Sequence, residues 1–192
     1  EGYAIIGVKI EGVEHEFATM KGISEDVVEI FLNLKQVRFK KIVDHDVTNE
    51  KIILSLKNKT EFTAGMIGEA THSFQIMNPD LLICTLDSSA KMDIELTIGK
   101  GRGYVPAEDN KPKDAPLGYI PIDSIFTPIK NVKYTIENTR VEQRTDFEKL
   151  IMEVSTDGTI HPEEAVKQAS RILIQHLMII TDENISLDTK RE

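Results

Sequence analysis

Nine consecutive residues, Ile172 to Ile180, carry only two polar side chains, Gln175 and His176, and they extend a segment with helical periodicity. Upstream, Ala165, Ala169, Ile172 and Leu173 share one face, while Glu163, Lys167 and Arg171 share the other, the pattern of an amphipathic helix. Downstream the apolar surface wraps almost the whole circumference, and a helix that is apolar all round has to be covered all round. Nine residues fall well short of the roughly 20 that cross a bilayer. The run therefore predicts packing against several protein helices. The chain has no other long helical pattern, so either its own core or a second polypeptide must supply that cover. The start of the helix is well marked: Pro162 suits the first helical position, and Glu163 and Glu164 lie at the positive end of the helix dipole. A helix is expected over residues 162–181.

The residues before this helix predict a polar loop, a strand and a tight turn. Leu150, Met152 and Val154 alternate with Ile151, Glu153 and Ser155, the period of a half-buried strand. Asp157-Gly158 then tolerates the positive φ angles of a type I′ turn. Between Arg140 and Asp146, five of seven side chains are charged or amide: Arg140, Glu142, Gln143, Arg144 and Asp146. Arginine makes planar, bidentate hydrogen bonds and is enriched at interfaces. The segment reads either as a polar docking strip or as a loop tied together by its own salt bridges.

At the other end, Ala4, Ile6, Val8 and Ile10 alternate, Glu11-Gly12 makes a turn, and Val13, His15 and Phe17 follow, which predicts a β-hairpin. His15 shares a face with Val13 and Phe17, so it reads as a hydrogen-bonded core or interface histidine rather than a catalytic one. Ser24 is expected to cap a helix in which Val27, Ile30, Phe31 and Leu34 form the buried stripe. Glu25, Glu29, Asn33 and Lys35 lie outside it, by themselves a solvated face. The middle of the chain reads as strands over 36–43, 50–57, 62–64, 74–77 and 81–86, with the clearest alternation at Met92, Ile94, Leu96 and Ile98. Residues 107–116 form an exposed proline-bearing loop, and strands resume over 119–125 and 131–136. Many strands with two helices make an α+β chain.

Composition removes several functional classes. The 192 residues have a formal net charge of −9, whereas holding DNA by its phosphates requires a basic stripe. One cysteine, Cys84, lies in an apolar run, where a thiol behaves as a small buried hydrophobe. A cytoplasmic protein is expected, because no disulfide can form within the chain and no signal peptide precedes Tyr3. The first residue is Glu1 rather than Met, so a fragment is expected. Gly99 to Gly103 invites a phosphate-loop reading, but Tyr104-Val105-Pro106 begins an extended loop where a helix would have to start. The five histidines have no paired metal spacing, and no pair among the 32 acids carries a catalytic signature. No catalytic residue, metal ligand or cofactor-binding residue is expected.

Several segments, in order, carry a resemblance. Glu11-Gly12-Val13-Glu14-His15-Glu16-Phe17, Glu25-Asp26-Val27, Leu32-Asn33-Leu34-Lys35, Gly101-Arg102-Gly103-Tyr104-Val105-Pro106-Ala107, Arg140 to Asp146, Thr156 to Ile160 and Pro162-Glu163-Glu164-Ala165 cover nearly the whole chain. Together they resemble the amino-terminal domain of the alpha subunit of bacterial-type DNA-directed RNA polymerase. The resemblance implies a β-rich insert domain over 4–136 and the carboxy-terminal part of a helix-containing dimerisation domain over 137–192. The family's first piece, with a helix that pairs with Ala165 to Ile180, is not in this sequence, and neither is its DNA-binding carboxy-terminal domain. The implied role is a noncatalytic scaffold: a second alpha subunit as dimer partner, then uptake of beta and beta-prime, with no DNA or membrane contact by this segment. The implied contacts with beta and beta-prime are Glu29, Asn33, Lys35, Arg140, Glu142, Gln143, Arg144 and Asp146. The implied dimer contacts are Ala169, Ile172, Leu173, His176, Leu177 and Ile180. From the residues alone, a free-standing β-rich protein-binding module unrelated to transcription remains the alternative.

Overall fold

The structure, a computed structural model, describes residues 1–141 and 144–180. Its elements run β1 (Gly2–Ile10), α1 (Val27–Leu34), β2 (Phe39–Lys41), β3 (Glu50–Lys57), β4 (Glu61–Thr63), α2 (Ala64–Glu69), β5 (Phe74–Ile76), β6 (Leu82–Thr85) and β7 (Lys91–Gly101). Then follow β8 (Tyr104–Val105), β9 (Ile120–Pro121), β10 (Ser124–Ile125), β11 (Ile129–Val141), β12 (Arg144–Thr156) and α3 (Pro162–Met178). The chain is α+β. It divides into one unit of Glu1–Lys130 with Asp157–Thr159 and another of Asn131–Thr156 with Ile160–Glu192.

The first unit is built on a six-stranded sheet in the order β3-β7-β1-β2-β5, with β9 pairing β1. Alternation in β7 sends Met92, Ile94, Leu96 and Ile98 inward, and all four are buried. On β3 the inward set is Ile52, Leu54 and Leu56, also buried. Against this face pack Val27, Ile30, Phe31 and Leu34 of α1, with Phe62, Ile67 and Ile83 from the segment between β3 and β7. Phe74 on β5 touches two rings, Tyr3 at 5.0 Å and Phe39 at 5.7 Å between centroids, and so ties together three strands. Cys84 is buried in β6, where desolvation pushes its thiol up to about 12.

Several local expectations give way here. Residues 13–17 form no strand, because β1 spends its hydrogen bonds on β7, β2 and β9 instead. His15 is exposed and is therefore no core histidine. The cap of α1 is Asp26, which accepts from the Glu29 amide at 2.7 Å, rather than Ser24. Ala64, read as the end of the strand over 62–64, instead opens helix α2, whose Ala64 and Ile67 are buried. The expected strand over 119–125 is two short bridges, β9 and β10.

In the second unit, β11 and β12 pair with each other as a two-stranded sheet. The polar loop expected over Arg140 to Asp146 is much shorter, since β11 runs to Val141 and β12 starts at Arg144; Glu142 and Gln143 lie outside the described residues. At Asp157–Thr159, which belong to the first unit, the expected type I′ turn does not form. Gly158 alone takes a positive φ, +91°, while the Asp157 carboxylate accepts from the Thr159 amide at 3.0 Å and hydroxyl at 2.6 Å. Helix α3 begins as expected on Pro162, capped by the His161 ring accepting from the Glu163 amide, and ends at Met178. Thr181, the expected last residue, lies outside the described residues.

Candidate assembly surfaces

The first surface lies on the outer side of α1. Its apolar stripe is committed to the core, yet Leu32 on the opposite side is 52 % exposed, and Phe17 nearby is 78 % exposed. With Val28, Lys35, Ala107 and Asp123 they line a hollow of about 180 Å³. Lys35 Nζ stands 2.6 Å from Asp123 Oδ1. Part-burial of the Asp123 carboxyl raises its pKa, but hydrogen bonds from Lys35, from the backbone and from the Tyr104 hydroxyl outweigh this and hold it below the usual carboxylate range. Tyr104 reaches this place because β8 pairs with β10, Tyr104 opposite Ile125. Three segments far apart in sequence, 11–17, 25–35 and 101–107, thus meet at one surface.

The three residues predicted here have different situations. Glu29 is exposed. Asn33 is occupied within the chain, its Nδ2 donating to the Ile83 carbonyl at 3.0 Å, and Lys35 is occupied by Asp123. Sequence reasoning missed Phe17, Leu32, Tyr104 and Asp123; the helical period around Val27 could have exposed Leu32 as an apolar residue on the wrong side, but nothing local signals Asp123. A pH dependence follows from the ion pair. A carboxyl whose folded pKa is depressed contributes stability that is complete above its unfolded value, 3.8, and is lost as pH falls through the lowered folded value. Asp123→Asn is expected to remove this part of the acid sensitivity, measured as the urea midpoint between about pH 2 and 6; an unchanged profile would remove Asp123 from the account.

The second surface is the far end of the β11/β12 hairpin. Arg140 and Asp146 are exposed, and each has an intramolecular partner. The backbone of Arg144 belongs to β12.

The third surface is α3, which contains no buried residue at all. Ala165, Gln168 and Ile172 are half-buried, and α3 packs on β12. Ala169, Leu173, Leu177 and Ile180 are exposed, Leu173 at 65 % and Leu177 at 59 %. Their spacing of four, four and three residues lays them in one stripe along the helix. His176 borders this stripe, its Nδ1 lying 2.8 Å from the Ile172 carbonyl. Five of the six predicted dimer residues are thus exposed together, and the sixth, Ile172, is half-buried.

Among the described residues no group of three or more His, Cys, Asp or Glu could hold a metal ion, and no helix is long and apolar enough to cross a membrane.

The sequence also has relatives. It is 61 % identical over 188 residues to a DNA-directed RNA polymerase subunit alpha of Cytophaga hutchinsonii, covering 98 % of this chain and 56 % of that protein. It is 56 % identical over 189 residues to the subunit of the same name from Phocaeicola vulgatus, covering 98 % and 57 %. With that of Chloroherpeton thalassium it shares 52 % identity over 180 residues, covering 94 % and 54 %. The chain therefore spans just over half the length of the curated relatives it matches. Residues 8–127, the body that carries the sheet, α1 and the hollow beside it, match the RNA polymerase Rpb3/RpoA insert domain, and the chain belongs to that family.

Proposed function

We propose that this chain is part of an RNA polymerase alpha subunit and that its work is assembly rather than chemistry. Two copies pair through the exposed stripe of α3, and the pair takes up beta and beta-prime. In this reading residues 4–136 act as the insert domain and 137–192 contribute to dimerisation. The stripe of Ala169, Leu173, Leu177 and Ile180 carries the proposal, because an apolar row left in water on a helix with no buried residue is stable only when something covers it. The α1 surface supports the second half: exposed Phe17 and Leu32 flank the hollow, the Lys35–Asp123 ion pair lies on its wall, and Glu29 is exposed on the same helix. Asn33 acts from behind, holding α1 to β6 through the Ile83 carbonyl. Glu142, Gln143, Arg144 and Asp146, with Arg140, are proposed as a polar strip for the beta-type subunits. The free-standing binding module has no observation in its favour once the relatives are counted.

The test is copurification. Arg144→Glu in the full-length protein is expected to lower recovery of the beta-type subunits from cell extract at least about tenfold, the size of one lost charge-assisted hydrogen bond. Unchanged recovery would remove the strip from the assembly surface.

A further inference from the structure

We propose that the outer edge of β3 receives an extended peptide strand from another protein, paired antiparallel, with acidic residues toward its amino end, alternating apolar residues at its centre and basic residues toward its carboxyl end. The residues involved are ones that the assembly reading does not use.

The edge is open. β3 is one end of the six-stranded sheet. On its inner side it pairs with β7 in unbroken register from Glu50 opposite Ile98 to Lys57 opposite Lys91. On its outer side, among the described residues, no strand pairs with it and no turn or loop amide bonds to its backbone. Edge strands are ordinarily kept short, bulged, broken by proline or covered. This one is eight residues long, without bulge or proline; its charges, Glu50, Lys51 and Lys57, stand at its two ends, and Ile53 on its outer face is 70 % exposed. The opposite end of the sheet is treated differently. There α2 packs on β5 so closely that a Cβ on Gly68 would stand 3.0 Å from Ile76 Cγ1. Helix α2 packs directly on β5, whereas a groove separates it from β3.

Between β3 and the free side of α2 lies a groove of about 510 Å³ lined by Ile53, Leu54, Ser55 and Leu56 on one wall and Met66 and Glu69 on the other. Successive strand residues point to opposite faces, so a groove lined by four in a row follows the edge itself. An edge strand facing a helix across a groove is the geometry of strand addition, in which main-chain bonds give affinity and alternate side chains give specificity.

The groove is also polar end to end. Thr71 Oγ1 donates to Glu50 Oε1 at 2.5 Å, which places the carboxyl end of α2 beside the amino end of β3. Glu50 and Glu69 therefore mark one end. Lys57 and Lys59 mark the other, and neither has an ion-pair partner among the described residues. Lys91, opposite Lys57 across the ladder, is held by Asp93 and Glu11, so Lys57 and Lys59 supply the positive charge at this end, with Asp80 on the groove wall. An antiparallel strand brings its amino end to these lysines, which sets the charge order of the partner.

The probe is a fluorescein-labelled peptide, Asp-Glu-Thr-Ile-Thr-Val-Thr-Lys-Arg, titrated with the full-length protein by fluorescence anisotropy. Saturable binding is expected. Lys57→Glu with Lys59→Glu should weaken it at least about tenfold, and a peptide with its terminal charges exchanged should recover binding to that variant. Methylating alternate backbone nitrogens of the peptide should weaken binding to the unchanged protein by a similar factor, because it removes ladder hydrogen bonds. Equal affinity for the methylated peptide, equal affinity of the lysine variant, or no saturation up to about 1 mM would overturn the proposal. A self-association of the protein that Ile53→Lys abolishes would also overturn it, by giving the edge to a second copy.

Discussion

Exchanging Leu173 and Leu177 for Asp in the full-length protein is expected to leave a folded monomer where the unchanged protein forms a dimer. Both leucines are exposed within the chain, so the carboxylates meet water there and the fold has no reason to suffer. In a dimer sealed by the α3 stripe, four carboxylates would be buried across the two copies. Leaving a charge buried without a partner costs about 3–5 kcal/mol. Four of them, about 12–20 kcal/mol together, match or exceed the roughly 12 kcal/mol of a nanomolar association. Light scattering coupled to size-exclusion chromatography reads the outcome, with circular dichroism as the control for folding. A variant that remains dimeric would move the pairing surface away from this stripe and take the central support from the assembly proposal.

Phe74→Ala is expected to be the most damaging single truncation among the residues described above. Phe74 is 2 % exposed and touches the rings of Tyr3 and Phe39, so its removal leaves a cavity between strands that nothing adjacent is free to fill. Large aromatic truncations of this kind cost about 3–5 kcal/mol, against a total stability of about 5–15 kcal/mol for a domain. The urea midpoint followed by circular dichroism should fall accordingly, while Phe74→Leu, which keeps most of the volume, should lose much less. A loss below about 1 kcal/mol for the alanine variant would mean that the β5 end of the sheet is loosely packed.

Sequence and structure agree where local pattern and tertiary packing ask for the same thing. β3 covers residues 50–57 as its alternation requires, and the stripe of Val27, Ile30, Phe31 and Leu34 is the buried face of α1. They part where the deciding contact is distant. The turn at Glu11-Gly12 suggested a hairpin, but the partner of β1 is β7, some ninety residues on along the chain, where Gly2 lies opposite Gly101. Helix α2 has two glycines in six residues, so its local propensity is poor, and it exists because Ala64 and Ile67 have a core to enter. The hairpin of β11 and β12 carries exposed side chains along most of its length, which erases the inside–outside alternation that marks a strand and made its charged end read as loop. At the α1 surface, Glu29, Asn33 and Lys35 were legible as one helical face. Their partners Ile83 and Asp123 were not, because no spacing rule links residues fifty or more positions apart.

The buried sulfur of Cys84 has an experimental use. Thiol reagents attack the thiolate, and a group pushed up to about 12 presents almost none of it while β6 stays in the core. Since the chain has a single cysteine, the rate at which a maleimide dye couples to it is a clock for how often that part of the interior opens.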